Sequence, residues 1–231
     1  MTTHPAWLRS LWNEWLKPLA LVLAILTPVR SAIGDWNDVP TGSMKPTILE
    51  GDRVVVNKIA YDLKIPFTRV HLLKWDNPQR GDIVVLDSPL DGKRLVKRVV
   101  GLPGDVVEMR QNVVVLNGEP LRYSHLDAER ARDVRPEERD VSLFAVEHLG
   151  KRPHPVMATP SVPASRAFDS LEIPPGHYFV MGDNRDNSFD SRGFGLVERR
   201  HIVGEAVAVA FSFDRTRSYR PRFGRFFSAL P

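Results

Sequence analysis

Ser43 is the first residue of this 231-residue chain whose surroundings could support covalent chemistry. It lies in the segment PTGSMKPT, residues 40–47, where Gly42 lets the backbone turn tightly and a proline stiffens each side. A serine presented on such a turn can expose its hydroxyl while neighbouring N–H groups point at one spot. A loop serine without a catalytic role is the alternative that this pattern alone leaves open.

Lys97 is the second candidate, because a serine hydroxyl becomes a good nucleophile only when a base accepts its proton. None of the seven histidines lies in a recognisable triad motif. Lys97 lies within RLVKRVVG, an alternating strand pattern that would bury its ammonium group. Burial disfavours the charged form and lowers a lysine pKa, which produces a general base near neutral pH. The alternative is a lysine that points into solvent.

The segment GDNRDNSFDSR, residues 182–192, is the third candidate. It does not fit an EF-hand calcium loop, because it has no glycine at the sixth position and no distal glutamate. Alternating acids and arginines instead indicate internal ion pairs and turns that hold a loop rigid. Ser188 would then be free to form a hydrogen bond with a catalytic amine.

Short strands are the elements that must position these residues. Runs rich in valine and isoleucine, bounded by turn residues, predict seven strands. They are Arg53–Ile59, Asp82–Asp87, Leu95–Gly101, Asp105–Arg110, Val113–Leu116, His177–Met181 and Ile202–Phe213. Asn117-Gly118 is a hairpin turn signal, because both residues tolerate positive φ. We therefore expect a mostly β protein.

The composition changes between the fifth and sixth predicted strands. Residues 124–147 are rich in charge, and residues 151–165 contain four prolines without periodicity. Such segments seldom lie within a packed sheet, so we assign 106–172 to an inserted subdomain with mobile loops. The predicted catalytic β core then comprises residues 36–105 and 173–214.

The net charge of +4 arises from 32 basic and 28 acidic residues that are mixed along most of the chain. We therefore expect no nucleic-acid partner. The exception is the basic aromatic tail, residues 215–231, whose composition suits anionic lipid headgroups or an RNA backbone. A solvated tail is an equally open alternative. The absence of cysteine excludes disulfides, thiolate zinc sites and cysteine nucleophiles.

Residues 1–35 predict a membrane anchor. Residues 16–33 are mostly apolar, and eighteen helical residues span about 27 Å, close to the thickness of a bilayer core. Tryptophans at helical spacing precede them, as in an interfacial belt. Arg9 and Lys17 before this segment, with Asp35 and Asp38 after it, favour an N-terminus inside the cell. A cleavable signal peptide is the alternative, but no small-x-small cleavage site follows the apolar core.

The same motifs occur together in one known family. The strings PTGSMKPTILEGDRVVVNK, RGDIVVLDSP, KRLVKRVVGLPGD and GDNRDNSFDSRGFG follow the anchor in this order. The chain thereby resembles bacterial type I signal peptidase, the leader peptidase family of serine proteases that use a serine and a lysine. The resemblance covers about residues 39–108 and 176–209. It implies a signal-peptidase-like antiparallel β catalytic core with an inserted smaller β subdomain, preceded by an N-terminal transmembrane helix.

The resemblance also implies residue roles. Ser43 would be the nucleophile and Lys97 the general base, with Ser188 orienting the lysine amine. The backbone N–H of Ser43 and the hydroxyl of Thr41 would form the oxyanion hole, although many members have serine at the latter position. Three charged residues would support the loop, namely Asp183 and the ion pair of Asp190 with Arg192. The candidates for shallow apolar substrate pockets are, by position, Val39, Pro40, Met44, Ile48 and Val96.

The implied activity is removal of signal peptides from secreted preproteins after small residues of the Ala-X-Ala type. It needs no cofactor and no metal. The expected partners are preprotein signal peptides, membrane lipid and, as a further candidate, the secretion translocon, and the chain is expected to be a monomer. The expected location is the bacterial inner membrane, with one span, a cytoplasmic N-terminus and the catalytic domain on the periplasmic face.

Two other functions fit parts of the sequence. A self-cleaving repressor of the DNA-damage response also uses serine and lysine on a β-rich fold, but it joins a soluble DNA-binding domain rather than an apolar segment. An inactive, membrane-tethered β domain could bind secretion partners through residues 124–147. The joint presence of Ser43, Lys97 and Ser188 argues against this last function.

Overall fold

The structure is a computed structural model that describes residues 12–65, 68 and 70–231. A π-helical turn, Trp12–Leu16, leads into helix α1, Lys17–Ala32. Among the helices of the described residues, none combines the length and the apolar character needed to cross a membrane. Arg9 and the first of the predicted interfacial tryptophans, Trp7, lie outside the described residues.

Strands make up most of the remaining described chain. Their bounds are β1 (Gly34–Asp38), β2 (Asp52–Asn57), β3 (Asp62–Lys64), β4 (His71–Lys74), β5 (Ile83–Asp87), β6 (Arg94–Gly101), β7 (Val106–Arg110), β8 (Val113–Leu116), β9 (Glu119–Pro120), β10 (Arg122–His125), β11 (Leu143–Leu149), β12 (Arg152–Ala158), β13 (Phe168–Glu172), β14 (His177–Met181), β15 (Val197–Glu198), β16 (Ile202–Asp214), β17 (Arg220–Pro221) and β18 (Ser228–Ala229). The short helices between them are α2 (Ala128–Ala131), α3 (Pro136–Arg139) and α4 (Ser191–Phe194). Single 3₁₀ turns lie at Arg199–His201 and Phe223–Arg225.

The largest sheet has the order β1-β2-β16-β5-β6-β14-β15, and β17 and β18 also pair with β16. Its pairings are antiparallel. Its strands come from residues before 102 and after 176, whereas the sheets β13-β7-β8-β9 and β10-β11-β12 come from residues 106–172. The prediction of a mostly β chain with an antiparallel core is confirmed. The Asn117-Gly118 hairpin turn is also confirmed, with φ of 53° and 83°.

Strand β5 lies at the centre of the core, because its two faces contribute to different hydrophobic clusters. Val84 and Leu86 pack with residues of β6, β14 and β16 on one face. Ile83 and Val85 pack on the other face with residues of β2 and of the turn that precedes β2. A strand covered on both faces has no solvent-facing positions, which explains its uninterrupted apolar run.

The expectation that residues 124–147 and 151–165 avoid a packed sheet is wrong, because β11 and β12 pair along seven residues. The prolines of β12 are tolerated because β12 is an edge strand. Met157 N donates outward to Asp183 O, and Pro153 and Pro155 have the same orientation as Met157. Their missing N–H groups therefore cost no hydrogen bond to β11.

The basic aromatic tail is not frayed, since β17 and β18 both pair with β16. Arg225 forms an ion pair of 2.6 Å with the buried Asp52 and donates to Thr47 O. Aromatic side chains remain on the outside of this segment, where Phe223 is 74% exposed and Phe227 is 75% exposed.

Candidate active site

Ser43 lies in a turn between β1 and β2. The turn is closed by hydrogen bonds from Lys45 N to Gly42 O and from Ile48 N to Met44 O. A side chain at position 42 would place its Cβ 2.7 Å from Glu50 Oε1 and 2.9 Å from Lys45 Cε. A larger residue at position 42 would therefore displace the ends of the Lys45 and Glu50 side chains, which form an ion pair.

Residues at the end of β14 hold this turn in place. Asn184 donates from its backbone N to Ser43 O at 3.1 Å and from Nδ2 to Gly42 O at 3.2 Å. A Cβ on Gly182 would lie 2.3 Å from Ser43 O, so only glycine allows this approach. Sequence analysis missed both residues. The signal was the Gly-Asp-Asn run directly after a predicted strand, where backbone often approaches another segment closely.

Lys97 reaches Ser43 from β6. Its Nζ lies 2.7 Å from Ser43 Oγ and 3.0 Å from Val96 O, and Lys97 as a whole is only 2% exposed. Burial lowers the pKa of Lys97 to about 8, although the carboxylates of Asp190 and Asp183 oppose this shift. A half-buried hydroxyl and an amine with a lowered pKa are thus in hydrogen-bond contact, which is the geometry for proton transfer to the amine.

Arg98, the next residue on β6, makes a different set of contacts. Its Nε and Nη2 donate to the two oxygens of Asp183 at 2.9 and 2.8 Å. The hydroxyl of Thr47 also donates to Asp183 Oδ2. Burial alone would raise the pKa of Asp183, but the Arg98 guanidinium outweighs it and the pKa is lowered. The buried carboxylate thereby ties the serine turn to β6.

Asp190 and Arg192 form the predicted ion pair at the start of α4. Arg192 donates from Nε and Nη2 to Asp190 at 2.8 and 2.7 Å, and Gly182 N also donates to this carboxylate. Burial raises the pKa of Asp190, but the hydrogen bonds from Arg192 outweigh it and the pKa is lowered. The pair fixes the segment that follows β14.

Ser188 lies beside this segment, and its Oγ would be 2.3 Å from a Cβ on Gly182. Among the hydrogen bonds of the described residues, none joins Ser188 Oγ to Lys97 Nζ. Gly182, which Ser188 Oγ borders, also approaches Ser43 O, so Ser188 lies close to the serine turn. The structure therefore brings Ser188 into the site without the hydrogen bond to the amine.

The predicted pocket residues divide into two groups. Four of them share one hydrophobic cluster, namely Val39, Met44, Ile48 and Val96. Met44 is 1% exposed and Ile48 is not exposed, so they form the floor beneath the serine turn rather than an open wall. Pro40 is exposed and borders a different cavity, with Lys45 and Leu49 among its walls. Thr41, two residues before Ser43, is exposed.

The acids and arginines of residues 182–192 pair mainly with distant segments rather than with one another. Arg185 binds Glu147 of β11 through two hydrogen bonds of 2.7 Å, and both side chains are buried. His154 Nε2 lies 3.4 Å from Glu147 Oε1 and 3.8 Å from Asp183 Oδ1. The hairpin β11–β12 thus braces the loop behind Ser43, a role that sequence analysis did not predict.

Comparisons with known proteins show the family to which this chain is similar. Residues 12–211 match the family described as signal peptidase, peptidase S26. A signal peptidase I of Pseudomonas fluorescens is 36% identical over 225 residues, which cover 92% of this chain and 77% of that protein. A signal peptidase I of Pseudomonas aeruginosa is 37% identical with the same coverage. A crystal structure of a signal peptidase I from Enterococcus faecalis is 34% identical and covers 56% of this chain, with a TM-score of 0.35 that is too low to compare folds.

The predicted resemblance is therefore confirmed by a family match over most of the chain and by relatives aligned over nine tenths of it. These observations identify a serine protease, and the chain belongs to the signal peptidase family, peptidase S26.

Proposed function

We propose that this chain is a membrane-anchored endopeptidase that removes signal peptides after small residues, through an acyl-enzyme on Ser43 with Lys97 as general base. The observation that carries the proposal is the 2.7 Å contact between Lys97 Nζ and Ser43 Oγ inside the protein. With a pKa of about 8, roughly a tenth of the amine is neutral at pH 7. That fraction is sufficient for a general base.

The reaction follows from these positions. Lys97 Nζ accepts the proton of Ser43 as Oγ attacks the carbonyl carbon of the preprotein. The backbone N–H of Ser43 and the hydroxyl of Thr41 donate to the resulting oxyanion. The ammonium of Lys97 then returns the proton to the leaving amine, which releases the mature protein. A water that Lys97 deprotonates then attacks the ester carbonyl. The bond between Ser43 Oγ and the acyl carbon breaks, Lys97 returns the proton to Oγ, and the signal peptide leaves with a free carboxyl group.

Ser188, Asp183 and the Asp190–Arg192 pair would position Lys97 and the serine turn. Their contacts surround Gly182, which lies directly against Ser43 O. Ser188 would turn its hydroxyl to the amine when substrate is bound, because catalytic hydrogen bonds often tighten only in the complex.

Specificity for small residues would arise above the cluster that contains Val39 and Val96. Met44 and Ile48 fill the space below, and this packing would leave only a shallow site for a substrate side chain. β1 is an edge strand of the described sheet, so an extended substrate could add to it through backbone hydrogen bonds.

Anchoring in the inner membrane, with the catalytic domain on the periplasmic face, would use α1 and the residues before it. Leu19, Leu21 and Val22 of this helix are 48–63% exposed, so these three side chains are not covered by the domain. Nine residues separate Ile33 from Ser43, and an extended tether of that length reaches about 30–35 Å. Ser43 would therefore lie near the membrane surface, where signal peptides emerge. Exposed Trp36 and the aromatic tail would face the same bilayer.

The test is a preprotein cleavage assay with Ser43→Ala and Lys97→Ala. We expect both proteins to be folded and inactive, because neither change removes a buried ion pair. Lys93→Ala is the matched control, since Lys93 is a highly exposed lysine of the same region. Normal turnover in Lys97→Ala would refute the base assignment.

A further inference from the structure

The basic aromatic tail contacts the turn that carries Ser43, and Arg225 makes the central contacts. Its Nη2 donates to Asp52 Oδ2 at 2.6 Å and to Thr47 O at 2.9 Å. Asp52 is not exposed, and it also accepts a hydrogen bond of 2.9 Å from Leu49 N. One guanidinium thus binds the turn at two points, through a backbone carbonyl and through the buried carboxylate at its end.

Thr47 connects these contacts to the residues around the lysine. Its carbonyl oxygen accepts a hydrogen bond from Arg225, and its hydroxyl donates to Asp183 Oδ2. Asp183 in turn binds Arg98, which follows Lys97 on β6. A movement of Thr47 would therefore change the position of the serine turn relative to β6.

The last residues of the tail contact β6 directly. Arg98 Nη1 donates to Pro231 O at 3.0 Å. The side chain of Leu230 packs on the hydrophobic cluster that contains Met44 and Val96, which are the chain neighbours of the two catalytic residues. The tail thus touches both of the segments that meet at the active site, and the pairing of β18 with β16 holds it in place.

We propose that Arg225 is a positioning residue for the reaction. It fixes the serine turn to the tail, and residues 228–231 fix the tail to β6. The proposal deepens the function proposed above and rests on it. Ser43 and Lys97 are 54 residues apart in the chain and meet at 2.7 Å, so their alignment depends on contacts between segments. A misplacement of about 1 Å, caused far from the chemistry, can lower a rate by about 10²-fold.

The role of Arg225 in stability has to be separated from this role in positioning. Arg225→Met alone leaves the buried Asp52 without its cation and should lower the unfolding temperature. In the double variant Asp52→Asn/Arg225→Met no buried charge remains, and the asparagine oxygen can still accept the hydrogen bond from Leu49 N. Thermal stability should therefore recover, whereas Thr47 O still lacks its donor.

The experiment measures cleavage of a signal-peptide substrate by the full-length parent, the single variant and the double variant, below their unfolding temperatures. Arg220→Met is the matched control, because Arg220 is an exposed arginine of the same tail. We expect kcat of the double variant to be about 10 to 100-fold below that of the parent. KM should stay within about twofold, because alignment of Ser43 with Lys97 is needed in the transition state rather than for binding.

Each other outcome contradicts the proposal. If kcat of the double variant recovers together with its thermal stability, the Arg225–Asp52 pair is only structural. A raised KM with unchanged kcat would assign Arg225 to substrate binding, and a double variant that stays unstable would make the tail a folding element. The proposed function is judged separately, by cleavage that the parent performs and Ser43→Ala abolishes. A parent that does not cleave the substrate contradicts that function and this inference with it.

Discussion

Two lysines are buried around Ser43, and their surroundings differ. Lys45 is 4% exposed and lies 2.8 Å from Glu50 and 2.6 Å from Glu138. Lys97 is 2% exposed, but the atoms in hydrogen-bond contact with its Nζ are the neutral Ser43 Oγ and Val96 O. Lys45 is therefore held in two ion pairs, whereas Lys97 has neutral hydrogen-bond partners and burial lowers its pKa. The two sites differ in whether a carboxylate contacts the amine directly.

Arg98 extends the comparison along one strand. It is not exposed, and its guanidinium contacts both oxygens of Asp183. Adjacent residues on β6 thus have different roles, because successive side chains of a strand point to opposite faces of the sheet. Substitution of Lys97 should impair catalysis, and substitution of Arg98 should impair folding.

The largest expected effect is that of Lys97→Met on activity. Removal of a general base should lower the rate of preprotein cleavage by about 10² to 10⁴-fold. Thermal unfolding should not occur at a lower temperature, because methionine fills a similar volume without the desolvation of an amine. Lys93→Met provides the exposed control. If Lys97→Met unfolded at a clearly lower temperature than the parent, Lys97 would be a structural residue. The difference in role between Lys97 and Lys45 would then be lost.

Arg98→Met should cost about 3–5 kcal/mol of unfolding free energy, since it leaves the buried Asp183 without its cation. Denaturant titration measures this loss. Arg94→Met is the matched control on the same strand, because Arg94 is 44% exposed by side chain and pairs with Asp87 at 2.9 Å. A surface pair of this kind contributes about 0–1 kcal/mol. Equal losses in the two variants would show that Asp183 does not depend on Arg98.

Substitutions of Thr41 test a second catalytic group beside Ser43. Thr41→Val removes the hydroxyl that we assign to the oxyanion hole, and loss of one such donor lowers kcat by about 10² to 10³-fold. Thr41→Ser retains the hydroxyl and should retain most of the activity. Both proteins should unfold like the parent, because Thr41 is exposed. Equal activity of the two variants in peptide cleavage would remove Thr41 from the oxyanion hole.

Sequence analysis could predict the parts of the molecule that local patterns encode. β-branched runs located five strands of the main sheet, β2, β5, β6, β14 and β16, to within a residue or two, because alternating burial is a property of consecutive residues. The other strands of this sheet, β1, β15, β17 and β18, were not predicted. The proximity of Ser43 and Lys97 came from the resemblance, since 54 residues separate them and no periodicity joins them. The partners of the loop charges were not predictable in this way. Arg98 and Asp183 are 85 residues apart, and Arg185 and Glu147 are 38 residues apart.

Residues 124–147 and 151–165 show the same limit. Their composition indicated mobile loops, yet Glu147 of the first segment and His154 of the second are not exposed at all. A buried charge is stable only beside its partner, and the partner of Glu147 lies in the loop after β14. The burial of Met44 and Ile48 could likewise not be predicted from the sequence, because their cluster is assembled with residues of β2, β5 and β16.

The central claim is tested most directly by the pKa of Lys97 itself. NMR titration of ε-labelled lysine, assigned by the signal lost in Lys97→Met, measures it without reference to activity. A pKa of about 8 is expected, and kcat/KM for a peptide substrate should rise with pH through the same value, because the neutral amine is the base. A Lys97 that titrates near 10.5, the ordinary lysine value, while activity still rises through pH 8 would contradict the account.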